Sequence, residues 1–362
     1  MRTVRPLRCR PFENGGTFPN PAGNIPPTMI ILAADVGGTK TNLGLFQAEG
    51  DSPGGPRPLR LAADRHYPTH DFPSVAAMLL KFLQDVGSSP RDVAGACAGI
   101  AGPVEDGACV AEWLPWRRVD EREVAAGAGI PHTRLINDMV ATAWGVTALR
   151  PDQLVTLNPG EPKPHRNVAV IAAGTGLGES ALIYDDGKYH ALTSEGGHTD
   201  FAPRNETELG LFRYIHRRTQ PVNQETVICG RGLCTVYDYF KSLETGHAPE
   251  KVAENGSRAG DIAKQAAADP NSAAGKAMDT FVSAYGARAA CLAMQVMATG
   301  GVFVGGGIAP KNIDKFRDGT FMEAFVDKGH LFRPILQKVP VHVVLEQRTA
   351  LIGAAQFALA HV

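Results

Sequence analysis

Apolar runs that break at glycine punctuate this chain. The first, Ile30-Ile-Leu-Ala-Ala-Asp-Val36, reads as a buried strand. It stops at Gly37-Gly38 and resumes as an alternating strand through Leu43, Leu45 and Phe46. A second, Val168-Ala-Val-Ile-Ala-Ala173, runs into Gly174-Thr175-Gly176 and resumes over 180–184. Asp185-Asp186-Gly187 then predicts a hairpin turn. A third, Gly301-Val-Phe-Val304, ends in Gly305-Gly306-Gly307. Shorter strands are predicted over 93–103, 133–138 and 339–345. Helical spacing appears between them. Ser74 caps a helix that carries Val75, Met78, Leu79, Phe82, Leu83 and Val86 on one face, and Gly87 stops it. Further helices are predicted over 139–149, 206–217, 232–243, 272–298 and 350–360. The proline-rich 151–167 reads as a connection and a hinge.

Each strand–glycine turn–strand unit has chemistry at its break. Glycine lets backbone N–H groups face outward and approach a ligand closely. Thr39, Thr41 and Thr175 add hydroxyls, and Lys40 adds a cation. Asp35 ends the first strand, where a carboxylate suits a Mg²⁺ that travels with phosphate. Two such turns, far apart in sequence, form a weak structural repeat able to clamp a polyphosphate from both sides. Asn137-Asp138 falls at the C-terminal end of a strand, the edge where α/β sheets bind ligands; the competing reading is that Asp138 caps the following helix. Glu195-Gly-Gly-His198 is a polar, glycine-rich loop suited to hydroxyl groups. A glycosidase reading of Asp138, Glu195 and Glu225 as paired carboxylates leaves the glycine turns unexplained.

At 362 residues the chain is long enough for two domains. Its net charge of −1 argues against nucleic-acid or anionic-membrane partners, and no apolar run approaches the ~20 residues that span a bilayer. Cys9, Cys97, Cys109, Cys229, Cys234 and Cys291 are scattered without zinc-like spacing. That pattern suits free thiols in a reducing cytoplasm, with Cys97 and Cys291 expected in the core. Residues 1–28 differ from the rest. They hold four arginines and a single acid, Glu13, followed by glycine and proline. They read as a disordered arm, with Met29 a plausible natural start.

Taken together, Asp35-Val-Gly-Gly-Thr39, Leu135-Ile-Asn-Asp138, Ala173-Gly-Thr-Gly-Leu-Gly178, Glu195-Gly-Gly-His198 and Val304-Gly-Gly-Gly-Ile308 resemble the bacterial glucokinase family. That family belongs to the sugar kinase, Hsp70 and actin superfamily. The resemblance implies an α/β, two-domain, duplicated ribonuclease-H-like (actin-like ATPase) fold with an ATP and sugar cleft between the domains. The implied parts are a small domain of 29–149 plus 346–362 and a large domain of 150–345, with the C-terminal helix packed back on the first. It implies ATP-dependent phosphorylation of glucose at the 6-hydroxyl, with ATP and Mg²⁺ as cofactors and a homodimeric assembly. Asp138 resembles the catalytic base. Asn137, Glu195, His198 and Glu225 resemble hexose ligands. Asp35, Gly37, Gly38 and Thr39 fall in the first phosphate loop, with Asp35 on Mg²⁺ through water. Gly174, Thr175 and Gly176 fall in the second, and Gly305, Gly306 and Gly307 where adenosine is held.

One departure stands out. The family places an asparagine a few residues before a tryptophan, and Glu112-Trp-Leu-Pro-Trp116 puts Trp113 there. A related branch carries a cysteine-rich zinc motif after the Gly-His loop, and this chain does not. A kinase for mannose, fructose or an amino sugar is the nearest alternative. A chaperone-like or filament-forming ATPase would not need the Glu195 loop or Glu225. A sugar-binding regulator would lack Asp138 or carry a DNA-binding domain.

Overall fold

The computed structural model describes residues 29–48 and 58–362; the expected arm, 1–28, lies outside the described residues. In the first half the strands are β1 (Met29–Val36), β2 (Lys40–Ala48), β3 (Leu59–Pro68), β4 (Val93–Ile100), β5 (Val104–Glu105), β6 (Ala108–Val110), β7 (Arg118–Asp120) and β8 (Thr133–Asn137). In the second they are β9 (Leu154–Asn158), β10 (Val168–Ala173), β11 (Leu177–Asp185), β12 (Lys188–Ser194), β13 (Gly301–Gly305) and β14 (Val341–Val344).

The two main sheets follow the same path. One has the order β3-β2-β1-β4-β8 and the other β12-β11-β10-β13-β14, with β9 added at its edge. In each, an antiparallel meander leads into parallel neighbours: β1 pairs antiparallel with β2 and parallel with β4, as β10 does with β11 and β13. The weak repeat seen in the glycine turns is therefore a duplication of the whole sheet, the ribonuclease-H-like architecture. Buried apolar strands explain it. Ile31, Leu32, Ala33 and Ala34 of β1, and Ala169, Val170 and Ile171 of β10, are fully or almost fully buried, as central strands covered on both faces require.

The helices that matter for the site are α1 (Val75–Asp85), α2 (Glu121–Ala128), α3 (Asp138–Val146), α4 (Glu206–His216), α5 (Gly230–Thr245), α6 (Ala259–Ala268) and α7 (Ala273–Gln295). Ser74 caps α1 as expected, its Oγ accepting from the Ala77 N–H at 3.1 Å. Asp186 and Gly187 turn the β11–β12 hairpin with φ of 45° and 78°. The closing helix Thr349–Ala360 returns to the first sheet, where Leu351, Ala354, Ala355 and Ala358 pack with Ile31, Ala33, Cys97 and Ile136. Conversely, Ala143 and Val146 of α3 pack with Val168, Val170, Leu182 and Val344 of the second sheet. The two helices cross at glycine, because a Cβ on Gly145 would run into the Thr349 backbone and one on Gly353 into that of Ala141.

Two expectations need correction, and one strand was not foreseen. The 151–167 segment is not merely a connection, since it contributes edge strand β9, paired antiparallel with β14. Strand β3 had no clear apolar pattern, because its residues are largely exposed at a sheet edge. Cys291 is only partly buried, with its Sγ 3.4 Å from the Lys328 Nζ, whereas Cys97 is buried as expected.

Candidate active site

The first glycine turn connects β1 to β2 in three residues. The Gly37 N–H donates to the Lys40 carbonyl at 3.1 Å, and a Cβ on Gly37 would lie 2.9 Å from that same oxygen. The turn is braced from outside by Thr69, which no local pattern singles out. Its buried Oγ1 donates to the Gly37 carbonyl at 2.7 Å and lies 3.0 Å from the Thr41 hydroxyl, while its N–H donates to the Thr39 carbonyl. Thr39 and Lys40 are left exposed on the rim. Asp35, just before the turn, accepts from the Asn42 amide at 3.1 Å. Burial pushes its carboxyl above the ordinary range, partly offset by Asn42 and by the Lys40 charge.

Strand β8 ends at Asn137, and Asp138 opens α3. The cap is Asn137, not Asp138. The Asn137 Oδ1 accepts from the N–H of Met139 at 2.8 Å and of Val140 at 3.3 Å. Its Nδ2 donates to the Gly102 carbonyl at 2.9 Å and to the Asp138 Oδ1 at 3.0 Å. The Met139 N–H also reaches that oxygen, at 2.9 Å. Asn137 thus satisfies the helix end and fixes the Asp138 carboxylate, which is spared the capping role. Burial raises the Asp138 pKa to about 6; the Met139 N–H opposes this, and the negative charges of Asp35 and Glu195 add to it. Asp35 and Glu195, from two other elements, are thus within electrostatic reach of Asp138.

The second turn faces this group. A Cβ on Gly178 would lie 2.5 Å from the Met139 Sδ, so the β10–β11 hairpin sits directly against the start of α3. Glycine is required at Gly176 for another reason, since a Cβ there would lie 2.6 Å from the Glu225 Oε2. That carboxylate accepts from the Leu177 N–H at 3.0 Å, and its other oxygen pairs with Arg231 at 3.0 Å. Glu225 is therefore built into the second turn, with Arg231 neutralising it. The Gly230 N–H, at the start of α5, donates to the Gly174 carbonyl at 2.9 Å. Thr175 is exposed at the tip.

The Glu195 loop lies beyond β12, with Glu195 and His198 exposed, their side chains 3.9 Å apart, and the His198 ring 3.5 Å from the Asn223 amide. The Gln224 N–H donates to the Thr199 carbonyl at 2.9 Å, which ties this loop to the Glu225 segment. Beneath it lies a pair that the sequence reading missed. Arg288 of α7 makes a bidentate contact with Glu179 of β11, both bonds 2.6 Å, and donates to the Gly196 carbonyl at 3.3 Å. Both side chains are buried. The signal was a single arginine on the apolar face of a helix, at the spacing of Phe281, Tyr285 and Leu292.

Gly305, Gly306 and Gly307 follow β13 behind the second turn. Gly306 has φ of 78°, and its missing Cβ leaves room for the Ala173 backbone. The fully buried Tyr285 joins the two strand ends. Its hydroxyl accepts from the Ala173 N–H at 2.9 Å and lies 3.2 Å from the Ile171 and 3.4 Å from the Gly305 carbonyl. The expected residues thus gather into two connected groups: Asp35, Gly37, Gly38, Thr39, Asn137 and Asp138 on the first sheet, and Gly174, Thr175, Gly176, Glu195, His198 and Glu225 on the second. The glycines after β13 stand behind the second group.

No group of three or more side chains suited to hold a metal occurs among the described residues. A Mg²⁺ carried by phosphate oxygens and water does not need one. The Asp35 carboxyl, largely withdrawn from water at the end of β1 with the Asn42 amide and the Lys40 charge beside it, has the oxygen chemistry to hold such an ion through water. No helix among the described residues is long and apolar enough to cross a membrane.

Known proteins resemble this chain in sequence and fold. A family model described as Glucokinase matches residues 32–361. The glucokinase of Nostoc sp. is 35% identical over 346 residues, covering 90% of this chain and 98% of the relative. That of Cronobacter sakazakii is 30% identical, over 90% of this chain and 96% of its own. A glucokinase crystal structure from an Antarctic psychrotroph superposes with a TM-score of 0.79 at 26% identity, over 91% and 99% of the two chains. A ROK family glucokinase from Streptomyces griseus, solved in complex with glucose and AMPPNP, shares the fold at a TM-score of 0.59 and 21% identity, over 91% and 99%. With a family match running from the first strand through the closing helix, the chain belongs to the glucokinase family.

Proposed function

We propose that this chain transfers the γ-phosphoryl group of ATP to the 6-hydroxyl of glucose, giving glucose 6-phosphate and ADP, with Asp138 as the general base. The observation that carries the reading is the Asp138 carboxylate, held by Asn137 at the end of β8, where the first sheet meets the second glycine turn. Phosphoryl transfer needs positioning and charge neutralisation more than covalent chemistry. Glu195, His198 and Glu225, with Asn137, bind the sugar hydroxyls. The 6-hydroxyl then points at Asp138, which takes its proton as the oxygen attacks. Backbone N–H groups of the turns at Gly37–Thr39 and Gly174–Gly176 receive the phosphate oxygens, and Gly305–Gly307 border the adenosine. Asp35 would hold Mg²⁺ through water, and the ion would neutralise charge on the transferring group. The lobes 29–149 plus 346–362 and 150–345 close on the substrates and exclude water, the competing acceptor. The enzyme works as a cytoplasmic homodimer.

A coupled assay with glucose, mannose, fructose and amino sugars, each against ATP, ADP and polyphosphate, tests this. ATP with glucose should give the highest kcat/KM. A higher value for another hexose would move the assignment to that sugar, and no turnover with any hexose would overturn it.

A further inference from the structure

Trp113 is out of place for a solvent-facing loop. Its side chain is 57% exposed, yet the loop that carries it is firmly held. Between β6 and β7 the Ala111 N–H donates to the Arg117 carbonyl at 2.9 Å, Leu114 is buried, and the Trp116 indole donates to the Phe72 carbonyl at 2.8 Å. The Trp113 indole N–H donates to the Ala101 carbonyl at 3.0 Å. The ring is thus locked in orientation with its donor already used. Its neighbours are the two halves of the site on the first sheet. A Cβ on Gly38, in the first phosphate turn, would lie 3.2 Å from the Trp113 carbonyl and 3.7 Å from its Cδ1; one on Gly102 would lie 3.3 Å from its Cζ2. Gly102 is the residue whose carbonyl holds Asn137, and through it Asp138.

A large apolar ring left in water, linked to the Asp138 carboxylate through Gly102 and Asn137, on a rigid loop, with its polar atom satisfied internally, is a preformed contact surface. We infer that Trp113 is a substrate-contacting, specificity-determining residue that packs its indole face on the C–H face of a bound hexopyranose. This rests on the kinase reading above and deepens it. A ring with no free donor reads shape and not hydroxyl pattern. A hydrogen-bonding side chain would reject sugars lacking its partner hydroxyl strongly, whereas an apolar wall discriminates such analogues weakly. The enzyme should therefore tolerate change at the sugar carbon facing Trp113.

The test compares Trp113→Ala, Trp113→Phe and the wild type. The Ala variant should raise the KM for hexose about tenfold, equivalent to about 1.4 kcal/mol, with kcat and the ATP KM within about twofold. Trp113→Phe should recover most of that loss by restoring an aromatic face. Hexose addition should change the indole emission of the wild type, and Trp113→Phe should abolish this change although Trp116 and Trp144 remain. A folded Ala variant with unchanged hexose KM overturns the inference alone, as does one whose ATP KM rises in place of the hexose KM, which would make Trp113 a brace of the Gly38 turn. A wild type that turns over no hexose overturns the kinase reading and the inference with it.

Discussion

Arg288→Met isolates the buried ion pair beneath the Glu195–His198 loop. Glu179 is fully buried in β11, and the guanidinium of Arg288, itself almost fully buried, supplies both of its 2.6 Å partners. Methionine keeps much of the arginine's length without its charge, so the carboxylate is stranded. Breaking a buried pair in this way costs about 3–5 kcal/mol. For a chain of this size that lowers Tm by on the order of 10 °C. The Gly196 carbonyl also loses its 3.3 Å donor, so the Glu195–His198 loop loosens and the hexose KM rises while the ATP KM holds. Adding Glu179→Leu removes the stranded charge. A buried pair replaced by apolar residues is near neutral, so the double variant should regain most of the lost stability, yet its hexose KM should stay high because the Gly196 carbonyl keeps only its local Thr199 donors and no longer its tie to α7. Urea unfolding and steady-state kinetics on the full double-mutant cycle measure both effects. A single variant within about 1 kcal/mol of wild type, or a double variant no more stable than the single, would refute the reasoning.

Asp138→Asn should cut kcat by at least about 10²-fold, the range of general-base catalysis; a folded variant with most of its turnover would exclude Asp138 as the base. With its pKa raised to about 6 from 3.8, the folded state holds the Asp138 proton more tightly than the unfolded chain, so the carboxylate's charge costs stability above pH ~6 and the cost fades as pH falls toward 4. The Asn variant should therefore melt higher than wild type at pH 7.5 and converge with it below pH 4, while wild-type kcat/KM falls as pH drops through about 6, readable from melting and rate profiles. Tyr285→Phe orphans the buried Ala173 N–H, which should cost about 1–3 kcal/mol and raise the ATP KM more than the hexose KM. A chain beginning at Met29 should match the full chain in Tm and turnover, and a clear loss of either would show that the first 28 residues contribute.

Much of the molecule is legible in local patterns. Period-2 and continuous apolar runs marked β1, β2, β10, β11 and β13, because buried central strands tolerate little polarity. Helical spacing and the Ser74 cap marked α1, and glycines marked the turns, since only they admit the close approaches at Gly37, Gly176 and Gly306. Edge strand β3 escaped notice because exposed strands carry no such pattern, and half-buried β9 because it is short and lies in a proline-rich stretch. The sequence alone left Asp138 open between cap and site residue. Only the fold gives the cap to Asn137, by turning its side chain onto the Met139 and Val140 N–H groups and its amide onto Gly102, a residue 35 positions away. The supports behind the site were equally invisible. Thr69 under the first turn, Tyr285 between the strand ends, and Arg288 with Glu179 beneath the Glu195–His198 loop act across separations of 32 to 114 residues. Burial and hydrogen bonding at such distances depend on which surfaces the folded chain brings together, and no local propensity encodes that.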